Sequence, residues 1–243
     1  MGLAQTSAAL VNTAPVDTAT VTASFEHQGF VILDDIVNSS MLHLLQQKVE
    51  TTIFAKAGTR NLLNHDWCAT LARQIKQHPQ IDALLPNQAK AVQSTYFNKS
   101  PNNNWLVSTH RDQFIPVKQR IKHPRWTAWS EKEGVTFARP PIDVLNQLVV
   151  VRLHLEDNNT ENGPLKVIPQ SHHVNSLTPQ SDQQTQATGK KNVSCIIKQG
   201  GALVMKPLLL HASEKSKRGE RRVIHFLFGP AQLPHGAQWH QAV

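Results

Sequence analysis

Two histidines and an aspartate carry the first chemical signal in this chain. His110-Arg111-Asp112 closes an apolar stretch that reads as a β-strand. Residues two apart on a strand project to the same face, so the imidazole and the carboxylate can bind one ion together. A third donor must come from elsewhere in the chain. His211 is the best placed, because it follows the apolar run Ala202–Leu210 and opens a polar turn. Two imidazoles and one carboxylate on one side of a metal leave the opposite positions open, which is the ligand set of non-haem iron(II) oxygenases. Taken alone, an H-x-D pair is also a common surface hydrogen bond, and a distant histidine adds little to it.

Basic residues downstream give the histidine a context. Arg221-Arg222 stands ten and eleven positions after His211 and opens the apolar segment Val223-Ile224-His225-Phe226. An arginine on an inward strand face is costly unless an anion meets it. A dicarboxylate at the metal supplies that anion through a bidentate fork. Neighbouring strand residues face opposite ways, so only one of the two can serve. Arg152 and His154 alternate with Val151, Leu153 and Leu155, which gives that strand one polar and one apolar face. Arg152 is a candidate for an anionic ligand, weighed evenly against an outward salt bridge. Lys99 ends the strand before His110 and is either a carboxylate partner or a solvated strand end. Trp105 is expected near the site entrance.

The elements that must hold these groups come in two blocks. Residues 1–20 are small and polar and read as a loose leader. The end of a short helix at Phe25–Gln28, a glycine stop at Gly29 and a buried strand follow. Asn38-Ser39-Ser40 is an N-cap cluster for a helix reaching about Phe54. Further helices are expected over Trp67–Gln77 and near Ile81–Leu85. The remainder reads as strands: Val92–Phe97, Leu106–Thr109, Leu145–Leu155, Leu165–Pro169, Ser194–Ile197, Ala202–Met205 and Arg222–Phe228. Helices followed by many short strands predict a mainly β fold with flanking helices on a sandwich or jelly roll. Residues 21–243 are expected as a single domain, with lid-like polar insertions near 113–144 and 175–192. Trp126, Trp129 and Phe137 in the first insertion are either substrate contacts or a satellite core.

The order of these pieces resembles the phytanoyl-CoA dioxygenase family of Fe(II)/2-oxoglutarate-dependent oxygenases. The resemblance runs from Phe25 to near the end of the chain. It is carried by Gly29-Phe30-Val31-Ile32-Leu33-Asp34-Asp35, by His110-Arg111-Asp112 and by Arg152-Leu153-His154-Leu155-Glu156-Asp157. Glu161-Asn162-Gly163-Pro164-Leu165-Lys166-Val167-Ile168-Pro169-Gln170-Ser171-His172, Gly200-Gly201-Ala202-Leu203 and the His211 to Arg221-Arg222 ending continue it. The resemblance implies a double-stranded β-helix (a cupin-like jelly-roll core) with Fe(II) on His110, Asp112 and His211. It implies 2-oxoglutarate on that metal, O2 as oxidant, and release of succinate and CO2 as a small organic substrate is hydroxylated. It assigns the distal carboxylate of 2-oxoglutarate to the arginine after the second histidine. The family spacing favours Arg222, while the text Arg-Arg-Val-Ile favours Arg221, the preferred reading. Arg152 stands where the family often has an aromatic residue. Asp112 argues against halogenation, since related halogenases lack that carboxylate. His172-His173 is read as structural.

The 25 Lys+Arg against 17 Asp+Glu give a net charge of +8, spread over more than one segment. That charge is compatible with a solvated basic face, with an anionic small-molecule substrate, or with a nucleic-acid- or protein-modifying enzyme of the same chemistry. No aromatic-basic run for single strands is present, so nucleic acid is not expected as a partner. A non-catalytic jelly-roll protein that keeps the metal site is a further alternative. Cys68 and Cys195 read as ordinary reduced thiols. No run of 18 apolar residues is present and no secretory signal is evident, so the expectation is a cytoplasmic protein without membrane attachment.

Overall fold

The computed structural model describes residues 17–52, 58–174, 176–178, 182 and 191–243. Helices come first. Helix α1 (Thr18–Gln28) is N-capped by the Asp17 carboxylate, which accepts from the Ala19 amide at 3.1 Å. It stops at Gly29, whose φ of 83° is the left-handed cap conformation. A Cβ at Gly29 would lie 2.3 Å from the His172 Nδ1, so the position also needs the missing side chain. Strand β1 (Phe30–Leu33) follows, then α2 (Ser39–Thr51), capped by the Asn38 side chain on the Met41 amide at 2.9 Å. This helix ends at Thr51, and Phe54 lies outside the described residues. The short β2 (Gly58–Thr59), α3 (Asp66–Lys76) and α4 (Pro79–Asp82) complete the helical block.

The strands that follow are β3 (Lys90–Lys99), β4 (Val107–His110), β5 (Ile115–Val117), β6 (Thr127–Lys132) and β7 (Val135–Arg139). After the short helix α5 (Ile142–Leu145) come β8 (Val149–His154), β9 (Leu165–Val167), β10 (Val193–Ser194), β11 (Ala202–Met205), β12 (His211–Ser213) and β13 (Arg221–Gly229). Their order is β1-β11-β8-β13-β3-β2 in the large sheet and β10-β9-β12-β4 in the small one, with β5-β7-β6 as a third. All these strand pairs are antiparallel. The architecture is a mainly β jelly roll with flanking helices.

Alternation along the large sheet separates two cores. Val151, Leu153, Ile224 and Phe226 point to the face covered by helices, where they meet Phe25, Leu45 and Leu71. Val150, Leu203, Met205 and Leu227 point the other way, toward Leu165 and Val167 of the small sheet. Each fully buried side chain of this kind contributes roughly 1.5–3 kcal/mol. The second face is where polar residues interrupt the apolar ones, and it holds the site.

Three expectations change. The run Leu145–Leu155 is not one strand, because Ile142–Leu145 forms a helical turn and β8 begins only at Val149. A short apolar run does not by itself distinguish the two states. Of Ser194–Ile197 only Ser194 is in a strand; Cys195 still donates its amide to the Leu165 carbonyl at 2.8 Å. The stretch 113–144 is not structureless, since it builds β5, β6, β7 and α5. Most of the leader 1–20 and of the insertion 175–192 lies outside the described residues, and Thr18–Thr20 already belong to α1. No described helix is long and apolar enough to cross a membrane.

Candidate metal centre and its cavity

The two histidines meet because β12 pairs with β4, which sets His211 directly opposite His110. Their rings lie 4.3 Å apart between centroids. Asp112 lies just beyond the end of β4, held by its amide donating to the Pro207 carbonyl at 2.9 Å. The His110 Nε2 is 3.6 Å from Asp112 Oδ1, and the His211 Nε2 is 3.7 Å from Asp112 Oδ2. One donor atom from each residue falls within 4.8 Å of the other two. Donors about 2.1 Å from one ion sit roughly 3 Å apart when adjacent, so the set closes on a cation with small side-chain adjustments.

Both imidazoles are oriented in advance. The His110 Nδ1 is 2.8 Å from the Ser108 carbonyl, and the His211 Nδ1 is 2.8 Å from the Leu209 carbonyl. Each carbonyl can only accept, so each Nδ1 carries the proton and each Nε2 keeps its lone pair toward Asp112. Burial pushes the His211 imidazole down to about 4, against the partial opposition of Asp112. It is therefore neutral at physiological pH, as a ligand must be. The His110 imidazole is raised, chiefly because its protonated form donates to Asp112. Burial raises the Asp112 carboxyl, but the neighbouring His211 and His110 outweigh it and hold the group below the usual carboxylate range.

Arg111, between the two ligands, faces the opposite way. Its guanidinium donates to the Ser171 and Leu208 carbonyls, and its Nε to Asp182 at 2.6 Å. Nothing in the sequence reading assigned it a role. The alternation that aligns His110 with Asp112 is what sends Arg111 inward to the neighbouring segment.

The two arginines of β13 separate as alternation requires. Arg221 lines the cavity in front of the triad and is 3 % exposed. Its Nη2 reaches the Ser213 hydroxyl at 3.4 Å, while Nε and Nη1 are buried without a hydrogen-bond partner. Burial, and then Arg152, lower its guanidinium to about 9, which leaves it charged at neutral pH. Arg222 points to the helical side. Its backbone amide and Nε donate to Glu156 at 2.7 and 2.6 Å, and its Nη1 to Glu50 at 3.0 Å. Its charge is already met by carboxylates, and Arg221's is not.

Arg152 also faces the cavity rather than an outward carboxylate. Its Nη1 lies 2.8 Å from the His225 Nδ1, its guanidinium is over the Phe97 ring at 5.4 Å, and its Nε has no partner. Burial lowers it to about 10. Lys99 does not line the cavity. It is fully buried beside Arg221, its cross-strand partner, and donates to the Ser213 hydroxyl and the Glu214 carbonyl, both at 2.8 Å. Burial, then Arg221 and Arg152, lower its ammonium to about 7.

The cavity encloses about 550 Å³, within the usual range for small-molecule sites. Trp105 lines it, as expected. So does Phe137, whereas Trp126 and Trp129 belong to the second core, so the insertion supplies both a satellite core and a cavity wall. His172 bonds the Glu26 carbonyl at 3.1 Å, away from the triad. His225, Phe114, Lys132 and Arg139 also line the cavity and were not singled out in the sequence. His225 stands four residues after Arg221, and Arg139 two after Phe137, so strand parity alone would have found both.

Comparison with known proteins agrees with this fold. The chain resembles the non-heme alpha ketoglutarate dependent carbocyclase SnoK from nogalamycin biosynthesis (TM-score 0.65, 12% identity, 93% of this chain and 90% of that one). It is similar to EctD from S. alaskensis (TM-score 0.65, 18% identity, 91% and 80%). It is also similar to HygX from Streptomyces hygroscopicus with nickel and 2-oxoglutarate bound (TM-score 0.62, 13% identity, 90% and 88%). At these identities the likeness speaks for the fold. No curated protein sequence matches. The family model described as Phytanoyl-CoA dioxygenase (PhyH) matches residues 25–223, a span that takes in His110, Asp112, His211 and both arginines of β13, and the chain belongs to that family.

Proposed function

We propose that the protein is an Fe(II)- and 2-oxoglutarate-dependent dioxygenase that hydroxylates a small organic substrate and releases succinate and CO2. One observation carries this reading. A two-histidine, one-carboxylate triad opens into the same cavity as a buried arginine with two orphaned N–H donors. Such a cation is costly unless an anion joins it.

In this reading His110, Asp112 and His211 hold iron(II). The three donors suit it, because mixed imidazole and carboxylate coordination on one side is the facial-triad pattern. When bound, the iron and 2-oxoglutarate supply the oxidising chemistry with O2. The chain's own contribution is placement. Arg221 receives the distal carboxylate on its guanidinium, with the Ser213 hydroxyl beside it. Lys99 fixes that hydroxyl from beside Arg221 without touching the ligand. Ser108 and Leu209 keep each imidazole turned to the metal. Phe97, Trp105 and Phe137 shield the cavity from bulk water, which strengthens every charge interaction inside it.

The test is succinate release by the purified protein supplied with iron(II), 2-oxoglutarate and O2. His211→Ala should abolish it. Full turnover by that variant would sink the metal assignment, and turnover without added or residual metal would sink the reaction class.

A further inference from the structure

The cavity holds more positive charge than a metal and one co-substrate can cancel. A divalent cation and a dicarboxylate neutralise each other, and Asp112 offsets one of the two buried guanidinium groups, Arg152 and Arg221. A second cationic pair then remains at the cavity wall formed by the three-stranded sheet. Arg139 lies over the Phe114 ring at 5.6 Å, and Lys132 lies 5.5 Å from Phe114 and 5.6 Å from Phe137. The Arg139 Nε is buried and has no hydrogen-bond partner. Among the described residues no carboxylate pairs with Arg139 or Lys132. Nearby cations do have partners: Arg60 meets Glu133 at 2.9 Å, and Arg125 meets Asp143 at 2.6 Å. Both of those pairs lie beside the sheet, and the two cations that face the cavity have no such partner among the described residues.

Resting on the proposed function, we infer that the substrate is an organic acid with an apolar or aromatic body. Its carboxylate is received by Arg139 and Lys132, and its body lies between Phe114 and Phe137. The arrangement suits that chemistry from both ends. Arg139 is half-buried and Lys132 exposed, and each cation is held over an aromatic face with its charge still available to a ligand. A planar carboxylate matches the free edge of the Arg139 fork. Arg221 remains with the co-substrate, so the two anions meet separate cations, the co-substrate on β13 and the substrate on β6 and β7.

The inference is tested on the intact protein, kept anaerobic with iron(II) and 2-oxoglutarate, by calorimetric titration with matched probes. Phenylacetate is compared with phenylacetamide, 3-phenylpropionate with its amide, and phenethylamine serves as the cationic control. The acids should bind about 10- to 100-fold more tightly than their amides, the worth of one charge-assisted bond. Arg139→Gln with Lys132→Gln should erase that preference, Arg139→Lys should keep part of it, and both variants should leave 2-oxoglutarate affinity within about threefold. Equal binding of acid and amide, tighter binding of the amine, or no binding of any acid overturns the subsite. If 2-oxoglutarate binds and depends on Arg221 while the acid preference is absent, the subsite alone fails. If 2-oxoglutarate does not bind, the functional reading beneath it fails as well.

Discussion

Replacing Arg221 with glutamine separates the two roles that a buried arginine can have. In the free protein its Nε and Nη1 lack partners, and Arg152 repels it. Removing that charge should leave the free protein unchanged or raise its stability by about 1–3 kcal/mol, since an uncompensated buried cation disappears. Binding of 2-oxoglutarate should move the other way. Two charge-assisted hydrogen bonds of about 1.5–3 kcal/mol each are lost. Glutamine recovers part of one, leaving a net loss of about 3–4 kcal/mol, or roughly a 100- to 1000-fold weaker Kd. Anaerobic calorimetry with iron(II) measures the affinity, and urea denaturation of the metal-free protein measures the stability. Arg222→Gln is the control with the opposite signature. It should leave the Kd within about threefold, yet lower stability by about 1–3 kcal/mol by stranding Glu156. If Arg222→Gln weakens 2-oxoglutarate binding and Arg221→Gln does not, the argument from strand parity is wrong.

Other outcomes follow from the same geometry. Lys99 has a folded pKa near 7 against a model-peptide value of 10.5, so between those limits the unfolded chain holds more protons. Stability of the free protein should therefore rise by a few kcal/mol, of order 1.4 per pKa unit, from about pH 7 toward pH 10. Lys99→Met should flatten that rise, and an unchanged slope in denaturation curves would remove the buried lysine from the explanation. Arg111→Met should lower stability by about 2–4 kcal/mol and weaken metal binding, because three charge-assisted bonds are lost at once; a metal titration showing native affinity would refute the link. Gly29→Ala should cost about 2 kcal/mol or more through its positive φ and the His172 ring, read as a lower urea midpoint.

Much of this site could be read in the sequence, for a physical reason. Strand periodicity is short-range, so His110 with Asp112 could be put on one face, and Arg221 and Arg222 on opposite faces, from spacing alone; which arginine faced inward was not fixed by it. The helix caps at Asn38 and Gly29 were legible because capping chemistry is local. What did not show was anything set by pairing between distant segments. Lys99 ends a strand next to the site, but only the β3–β13 register sets it opposite Arg221, with Ser213 and Glu214 as its partners. The sheet made from 113–144 was hidden because its polar, proline-containing stretches resemble a loop when read in isolation. Its Lys132 on β6 and Arg139 on β7 acquire meaning only when the hairpin turns one face to the cavity.

The clamp around Arg111 bears on which metals the protein will accept. Its guanidinium joins the segment carrying His110 and Asp112 to the Leu208 carbonyl, next to Leu209, whose own carbonyl aims His211. The donor set is thus tied together by the protein itself, before any ion arrives. A preset pocket of two imidazoles and a carboxylate admits every first-row divalent ion of suitable size, and intrinsic affinity then follows the Irving–Williams order, with copper, nickel and zinc above iron. Selectivity for iron must then come from which ions are supplied to the protein, and a preparation exposed to trace zinc or nickel would fill with an inert ion while its fold and 2-oxoglutarate affinity stayed intact.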